Sequence, residues 1–372
     1  MSSGKVFSKF INSLLQKFFA LPEVKNPDIK ELKEVLVIRQ HNQFGDLLAS
    51  VSLFRAIKET HPNCNLTVIV SKQNYYAVTK NKFIDKIFIY NQKKFLFAAY
   101  LIDLIKVLRK NYDLVIVPAT VSISSTSCIL GRLAKAELRV GPNSLNGKAN
   151  PLAFLFNVRI NLNWLKHPDS HISDFGLDIL RPLGIMTKNY KSNIVFDEND
   201  LKTAQDFVYS IKNGNDANLI GLHVGAGKPP NRWALEKYIQ LTGLLSENYK
   251  CCFYFTGSSS DTDELDYIKQ NSELKDCYFL NKSIPELAAL ISISDLFITN
   301  DTGVMHVAGT TETPQISIFG PTNPFNWAPL GTNKYFIRKS DLINDVTVND
   351  VYEICEMILT EKNLKGKGNA DK

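Results

Sequence analysis

Short apolar runs recur along most of the chain, and most of them are followed by a stretch with apolar residues every three or four positions. The first pattern is typical of buried β-strands, and the second is typical of amphipathic helices. In the first half, the predicted strands are 35–39, 66–70, 86–90, 114–118 and 137–141, with helices at 47–60 and 95–108. This βαβ repetition predicts a parallel sheet with helices packed on it.

The same alternation starts again after a helical pattern at 171–185 and a polar stretch at 186–200, which is a predicted linker. The predicted strands there are 218–225, 251–257, 277–280, 295–299 and 315–319, with helices at 199–212, 234–247, 261–270 and 284–293. We therefore predict two α/β domains, 31–190 and 191–362. The pattern leaves open whether the last helix, 348–361, packs on its own domain or on the first one.

The first 30 residues are predicted to be a separate amphipathic segment. In residues 5–20, apolar positions fall at helical spacing on one side, with Lys5, Lys9 and Lys17 between them, and Pro22 ends the predicted helix. Two interpretations stay open: the helix packs on the protein's own surface, or it lies on an anionic membrane face. The longest apolar runs are shorter than the about 18–20 residues that span a bilayer.

Composition narrows the possible partners. The net charge of +6 is a mild basic excess, which suits an anionic small ligand or membrane surface but is too weak to predict a nucleic-acid partner. The six cysteines form no C-x-x-C pair and show no regular spacing, which favours a reduced, cytoplasmic setting.

The loop after the first predicted strand, HNQFGD (41–46), carries the first candidate for chemistry. Gly45 allows a sharp turn, and Asp46 stands at the start of the next helix. An aspartate at this position is a good helix cap, which is the ordinary structural interpretation. The functional alternative is a carboxylate at the carboxyl end of the strand, facing a cleft between the domains, that acts as a general base. The residues alone leave both open.

In the second domain, the loop GAGKPPNRW (225–233) has the composition of a phosphate site. Its glycines let the backbone approach a ligand, and Lys228 and Arg232 supply positive charge. The loop is neither a Walker A sequence nor a G-x-G-x-x-G sequence, so a plain surface loop is the alternative.

The turn NDTGVMH (300–306) is a second candidate of the same kind. The backbone N–H groups of Thr302 and Gly303 lie at a predicted helix start and suit a diphosphate. His306 follows one turn later, where a core histidine is the ordinary alternative. Since both loops follow strands of one parallel sheet, they favour a phosphate-bearing ligand at its carboxyl edge.

The chain shows no convincing metal site, and we predict neither a metal nor a cofactor. Asp261 and Asp263 imitate an Asp-x-Asp metal motif but lie at a predicted helix start, where aspartates act as caps. His167 and His171 have i,i+4 spacing, but Pro168 between them disfavours the helix that would bring both to one zinc ion.

Five motifs in order, from residue 34 to about 335, resemble glycosyltransferase family 9, the ADP-heptose:lipopolysaccharide heptosyltransferases. They are VLVIRQHNQFGDLLASVSLF, HISDFGLDILRPLGI, LIGLHVGAGKPPNRWALEKYIQL, FYFTGSSSDTDE and SIPELAALISISDLFITNDTGVMHVAGTTETPQISIFGPTNP. The resemblance implies the α/β fold class GT-B, in which two Rossmann-like domains face each other across a cleft. It also implies metal-independent, inverting transfer of a heptose from ADP-heptose to a sugar hydroxyl of the lipopolysaccharide inner core.

The resemblance assigns roles to particular residues. It implies that Asp46 is the general base and that the first domain binds the acceptor, a lipid-anchored glycan on the inner face of the cytoplasmic membrane. It implies that the second domain binds the nucleotide sugar. The residues matched to donor binding are Asp301, Thr302, Gly303, His306, Ala226, Gly227, Lys228, Asn231, Arg232, Gly257 and Lys282.

Asn231 departs from the family pattern, which usually has a lysine two residues before the tryptophan of this loop. The departure leaves open another nucleotide sugar or another glycan acceptor for the same fold. A sugar-nucleotide epimerase and a non-catalytic module that binds nucleotide sugars are the two further alternatives. Product analysis separates all of them.

Overall fold

Two compact units divide the chain, Met1–Ser192 and Asn193–Lys372, and the break between them falls within the polar stretch 186–200. The computed structural model describes residues 16–25, 27–40, 44–212 and 214–370. Each unit is built around a mainly parallel sheet with helices packed on it, which confirms the predicted α/β class. Within the described part of the chain, no helix is both long and apolar enough to cross a membrane.

The sheet of the first unit has the strand order β3-β2-β1-β4-β5, and these strands are all parallel. The strands are β1 Glu34–Arg39, β2 Asn65–Ser71, β3 Lys86–Tyr90, β4 Tyr112–Ile116, β5 Ala136–Leu145, β6 Lys148–Ala149 and β7 Val158–Leu162. The apolar runs predict β1 to β5, and these predictions are confirmed. β6 and β7 both pair with β5 and were not predicted, because β7 (VRINL) mixes polar and apolar residues and is only partly buried.

Helices of the first unit follow the predicted pattern in part: two predicted helices differ in extent, and the helix at Ser125–Leu133 had no predicted range. They are α1 Phe44–Ala49, α2 Val51–Thr60, α3 Ala98–Arg109, α4 Ser125–Leu133 and α5 Ile172–Phe175. The helix predicted at 47–60 is interrupted at Ser50, whose hydroxyl donates to the Asp46 carbonyl. The helix predicted at 171–185 is wrong in extent, since α5 ends at Phe175. Pro182 and Gly184, with its φ of 74°, limit the later part to a short 3₁₀ turn.

The segment before β1 is joined to the first unit by backbone hydrogen bonds. The Leu21 N–H donates to the Phe154 carbonyl at 2.9 Å, and the Val24 N–H donates to the Asn157 carbonyl at 2.8 Å. Residues 16–19 are helical, whereas most of the amphipathic helix predicted at 5–20 lies outside the described residues.

The second unit repeats the architecture with the strand order β10-β9-β8-β11-β12-β13, all parallel. Its strands are β8 Asn218–His223, β9 Cys251–Gly257, β10 Tyr278–Leu280, β11 Leu296–Asn300, β12 Gln315–Ile318 and β13 Lys334–Ile337. Its helices are α6 Glu198–Lys212, α7 Leu235–Asn248, α8 Thr262–Asn271, α9 Ile284–Ser292, α10 Gly303–Ala308, α11 Pro324–Trp327 and α12 Val348–Ala370.

The last helix, α12, answers a question that the sequence left open. Its residues Val351, Cys355 and Leu359 are buried in the hydrophobic core of the second unit, together with residues of β8 and α7. The apolar face of α12 therefore packs on the second unit.

Both sheets have a point at which the strand order reverses. β1 lies between β2 and β4, and β8 lies between β9 and β11. Ligands of doubly wound sheets bind outside the carboxyl ends of the strands at such a point. The candidate loops 41–46 and 225–233 both follow the strand at this position, and the turn 300–306 follows the neighbouring strand β11.

Candidate functional site

Asp46 lies in the first turn of α1, just beyond the carboxyl end of β1, and its side chain is only 3% exposed. The side chain of Arg39, the last residue of β1, is also buried, and its Nη2 lies 3.5 Å from Asp46 Oδ2. The carboxylate is therefore buried beside a buried guanidinium. His41, Asn42 and Gln43, which precede α1, lie outside the described residues.

Arg39 is held in place by two hydroxyl groups as well as by the carboxylate. Its Nε donates to Ser50 Oγ at 3.2 Å, and its Nη2 donates to Thr120 Oγ1 at 2.8 Å. Burial lowers the pKa of the Arg39 guanidinium, and the charge of Asp46 opposes this shift. Because a buried guanidinium needs a counter-charge, the ion pair with Arg39 fixes the position of the Asp46 carboxylate.

Arg39 was not among the predicted site residues, although the sequence contains a signal for it. Arg39 is a cation at the last position of an otherwise apolar strand, VLVIR. A charged residue there is placed at the carboxyl edge of the sheet, where ligands bind.

In the second unit, the loop after β8 passes very close to the start of α8. A Cβ atom at Gly225 would lie 2.1 Å from Asp261 Oδ1, so this position requires glycine. At Gly227, by contrast, an added Cβ atom would meet no described atom within 4 Å. Ala226 is buried, and its carbonyl accepts a hydrogen bond from Arg232 Nε at 2.9 Å.

Asn300, the last residue of β11, ties this loop to the neighbouring strand. Its side-chain amide donates to the carbonyls of Val224 at 2.9 Å and Gly225 at 3.3 Å. Its Oδ1 accepts from the Trp233 N–H at 3.2 Å and the Tyr238 hydroxyl at 2.9 Å. Asn300 is fully buried, so these hydrogen bonds form in a low-dielectric setting, where they rigidify the loop. The sequence analysis did not single it out, although it begins the NDTG turn.

Asn231 and Asp301, which the sequence placed in two separate loops, are brought into direct contact. Asn231 Nδ2 donates to Asp301 Oδ2 at 2.9 Å and to the Asp301 carbonyl at 3.2 Å. Burial raises the pKa of Asp301, while a hydrogen bond with Thr322 and the charge of Lys228 act in the opposite direction. The position that usually holds a lysine in the family therefore holds a neutral hydrogen-bond donor to this carboxylate.

Thr322 is a second residue that the sequence analysis did not assign. It lies in the FGPTNP stretch after β12, and its hydroxyl reaches Asp301. Loops after three neighbouring strands, β8, β11 and β12, thus converge on one carboxylate at the reversal point of the sheet.

The basic side chains of this region differ in how their charge is compensated within the protein. Arg232 Nη1 forms an ion pair with Glu264, so its charge is compensated within the protein. Lys228 has an exposed side chain and lies near enough to Asp301 to influence its ionisation. Lys282 is exposed beside the Phe279 ring, with Nζ 5.4 Å from the ring centroid. Of these three predicted donor-binding cations, Lys228 is therefore the one best placed to contact an anionic ligand that binds beside Asp301.

The NDTG turn itself forms the start of α10. Thr302 is the extended N-cap residue, and Gly303 is the first residue of the helix. His306 is half-buried, with its ring edge-on to Trp327 and the centroids 6.2 Å apart. Gly257 ends β9 and faces Leu265, since a Cβ there would lie 2.7 Å from Leu265 Cδ1. Packing therefore accounts for the glycine at 257.

Asp261 and His171, which belong to the two sequence patterns that imitate metal sites, have structural roles. Asp261 accepts hydrogen bonds from the Ser258 N–H at 2.8 Å and the Ser258 hydroxyl at 3.0 Å in a capping box. His171 Nδ1 accepts from the Ser173 N–H at 3.2 Å at the start of α5. Within the described ranges, no group of three or more His, Cys, Asp or Glu side chains is arranged to hold a metal ion.

Comparison with known proteins gives a consistent family signal. The profile of glycosyltransferase family 9 (heptosyltransferase) matches residues 101–350. The chain is 24% identical over 308 residues to lipopolysaccharide heptosyltransferase 3 of Escherichia coli (strain K12), and this match covers 78% of the chain and 83% of that protein.

Solved structures show the same fold at low sequence identity. A glycosyltransferase family 9 protein from Veillonella parvula DSM 2008 has a TM-score of 0.74 at 20% identity, covering 92% of this chain and 99% of that one. The E. coli ADP-heptose lps heptosyltransferase II has a TM-score of 0.72 at 18% identity, covering 89% of this chain and 99% of that one. At these identities the similarity shows the fold alone, and it confirms the predicted GT-B class.

Proposed function

The chain belongs to glycosyltransferase family 9, and from this membership we propose that it moves a heptose from ADP-heptose to a sugar hydroxyl of the lipopolysaccharide inner core. The observation that carries the proposal is the convergence of Asn231, Thr322 and Lys228 on Asp301 at the reversal point of the second sheet. This point is where doubly wound sheets bind nucleotides. Two of the proteins named above, both from E. coli, are heptosyltransferases, which supports the choice of donor and acceptor.

The second unit is proposed to bind the nucleotide sugar. The N–H groups of Thr302 and Gly303 at the start of α10, with Lys228, supply positive potential for the diphosphate. Asp301, oriented by Asn231 and Thr322, accepts hydrogen bonds from sugar hydroxyls. Because a carboxylate accepts hydrogen bonds at both oxygens, it can discriminate between sugars by the directions of their hydroxyl groups.

The remaining family-matched residues are proposed to act by shaping this site. Ala226 and Gly227 bring the backbone near the phosphates, and Arg232, balanced by Glu264, holds the loop through the Ala226 carbonyl. Gly257 is proposed to act through its packing against Leu265, whereas His306 and Lys282 stay proposed donor contacts. Asn231 acts on the donor through Asp301 rather than as the cation that the family usually has.

In the proposed reaction, the bond between the anomeric carbon and the diphosphate oxygen breaks through an oxocarbenium-like state. The acceptor hydroxyl attacks from the opposite face, and this inverts the anomeric configuration. Asp46 takes the hydroxyl proton as the new glycosidic bond forms, and ADP leaves with the bonding electron pair. Arg39 holds the Asp46 carboxylate in position until the proton is transferred. The charge that develops on ADP is stabilised by Lys228 and the amide groups, without a metal ion.

Product analysis tests this function. Purified protein is incubated with ADP-heptose and a lipopolysaccharide core oligosaccharide; ADP is quantified by chromatography, and the glycan product by mass spectrometry and NMR. The proposal requires acceptor-dependent ADP release and a product heavier by one heptose, with inverted anomeric configuration. An epimerised ADP-heptose without transfer would indicate an epimerase, and binding without ADP release would indicate a non-catalytic module. Transfer only from another nucleotide sugar, or only to another glycan, would reassign the substrate.

Transfer is expected to continue in excess EDTA. The physical reason is that Lys228 and the helix-terminal amides meet the charge of the leaving diphosphate directly. ADP release is measured before and after chelation, with and without added Mg²⁺ or Mn²⁺. Activity that is lost on chelation and restored by either cation would contradict metal independence, and Asp261 and Asp263 would then be the first ligands to test.

Deleting residues 1–15 is expected to weaken binding to anionic vesicles while sparing transfer to a soluble, truncated acceptor. The segment contributes Lys5 and Lys9 and an apolar face, and each lysine near an anionic surface is worth about 1 kcal/mol at low salt. The deletion ends before Leu21 and Val24, whose backbone hydrogen bonds join the chain to the first unit. Vesicle co-sedimentation and soluble-acceptor assays measure the two effects. An insoluble or inactive deletion protein would show instead that the segment belongs to the fold.

A further inference from the structure

Large apolar side chains are exposed on α3 of the first unit and in the turn just before it. Just before the helix, Leu96 is 96% exposed and Phe97 is 62% exposed. Within the helix, Ile102 is 52% exposed and Ile105 is 56% exposed. These four residues, called the α3 surface below, are large side chains that a water-facing helix does not require.

Another side of α3 already supplies the core of the unit. Leu104 and Leu108 are buried against the sheet, whereas Ile102 and Ile105 lie on the outer face at i,i+3 spacing. The helix is therefore apolar on two sides, and the stability of the unit accounts for only one of them. An exposed apolar face of this kind indicates an interaction surface.

The apolar character continues onto the neighbouring helix. α4 packs on the same side of the sheet as α3, because residues of both helices share one core cluster. Ile129 and Leu133 of α4 are exposed, as is Phe18 in the segment before β1. Arg132 of α4 joins this segment to the helix, since its Nε donates to the Phe19 carbonyl at 2.8 Å and its guanidinium lies over the Phe19 ring.

Basic side chains surround the exposed apolar residues in the sequence and on the helices. Asp103 lies among them and pairs with Lys106 at 3.3 Å, which leaves a basic excess. The exposed cations are Lys17, Lys93, Lys94, Lys106 and Arg109. Apolar side chains with a basic surround are the composition of surfaces that bind anionic bilayers, because the cations attract the headgroups and the apolar groups enter the interface.

We propose that the α3 surface docks on an anionic lipid bilayer and holds the enzyme at the membrane. The proposal rests on the proposed function, because the acceptor proposed there is a lipid-linked glycan. Charge decides against two other occupants. The N-terminal segment carries Lys5 and Lys9, and a second copy that docked through the same surface would present the same cations, so either would place positive charge beside Lys93 and Lys94.

Vesicle binding by the full-length chain tests the proposal. The vesicles contain phosphatidylethanolamine with phosphatidylglycerol, and phosphatidylcholine vesicles are the uncharged comparison. We expect the double variant Leu96→Ser/Phe97→Ser to bind the anionic vesicles about tenfold or more weakly than the wild type, because two large apolar groups no longer enter the interface. The matched control is Leu165→Ser, which removes another leucine of the same unit that is 76% exposed.

The control should bind like the wild type, and higher salt should weaken both without abolishing binding. Equal binding of wild type and double variant, or no binding by the wild type, would overturn the proposal. The proposal would also be overturned if the wild type were a dimer and the double variant a monomer with unchanged vesicle binding. That result would assign the surface to a second copy of the chain. A double variant that loses thermal stability but keeps vesicle binding would assign it to the N-terminal segment.

Failure of this inference can be told apart from failure of the proposed function. Vesicle binding requires neither donor nor acceptor, and transfer to a soluble acceptor requires no membrane. A wild-type protein that transfers heptose but ignores vesicles refutes the docking surface alone. A protein that binds vesicles through the α3 surface but transfers no heptose refutes the function alone.

Discussion

Replacing Asp46 with asparagine is expected to lower turnover about 100-fold or more, with ADP-heptose affinity nearly unchanged. Asparagine keeps the shape of the side chain but cannot take the acceptor proton. The measurement is steady-state ADP release at saturating donor and acceptor, with donor affinity from calorimetric titration. Near-normal turnover of the folded variant would refute Asp46 as the base.

The contact with Arg39 adds a structural effect that has to be separated from catalysis. Removing the carboxylate leaves the buried guanidinium with Ser50 and Thr120 as acceptors, so we expect a folded protein that is less stable by about 1–3 kcal/mol. Turnover is therefore measured well below the unfolding temperature of the variant, which thermal denaturation provides.

A matched control is Asp113→Asn, which changes a residue of β4 whose carboxylate lies beside the amino end of β1. The Asp113 carboxylate accepts hydrogen bonds from the Lys33 and Glu34 N–H groups at 2.6 and 2.8 Å, so its loss also costs stability. It lies at the amino edge of the sheet, away from the carboxyl ends of the strands. We expect this variant to lose stability while keeping turnover, whereas Asp46→Asn loses turnover.

Replacing Gly303 with valine is expected to weaken nucleotide-sugar binding about tenfold or more, with little effect on acceptor affinity. Gly303 is the first residue of α10, and a branched side chain there would stand beside the amide groups that are proposed to bind the diphosphate. The loss of one well-formed hydrogen bond of this type is worth about 1–1.5 kcal/mol, which is roughly tenfold in affinity. Titration with ADP and with ADP-heptose measures the effect.

The control for this variant is Gly243→Val on α7. A Cβ atom at Gly243 meets no described atom within 4 Å, so the added side chain points into open space. We expect this variant to bind the donor like the wild type. Overlapping titration curves for Gly303→Val and wild type would refute the assignment of the NDTG turn to the diphosphate.

Much of the site could be predicted from the sequence because its loops directly follow apolar strands. The runs VLVIR and LFIT predict β1 and β11, and the residues after such runs lie at the carboxyl edge of a parallel sheet. Asp46 and the NDTG turn were found in this way. Arg232 was predicted as a cation of the loop after β8, but its ion pair with Glu264, 32 positions later, could not be predicted from the loop alone.

Helix boundaries were predicted least well where local and tertiary preferences compete. The pattern at 171–185 is apolar enough for a helix, yet α5 ends after one turn, and the chain then packs through Leu177, Ile179 and Leu180 as turns. Burial of these side chains does not require helical geometry, so apolar spacing alone is not decisive. The same spacing at 95–108 predicts α3, which spans Ala98–Arg109, to within three residues, because no proline or glycine interrupts it.

By itself, the sequence determined the alternation of strands and helices, the two α/β domains, and the loops that carry charge and glycine. These features depend on the period of apolar residues and on neighbours within a few positions. Only the tertiary structure decided which groups meet, because those contacts join distant parts of the chain. Arg39 reaches Thr120 across 81 positions, and Asn231 reaches Asp301 across 70. A hydrogen bond depends on distance in space and on direction, and sheet order brings such residues together in ways that local patterns do not encode.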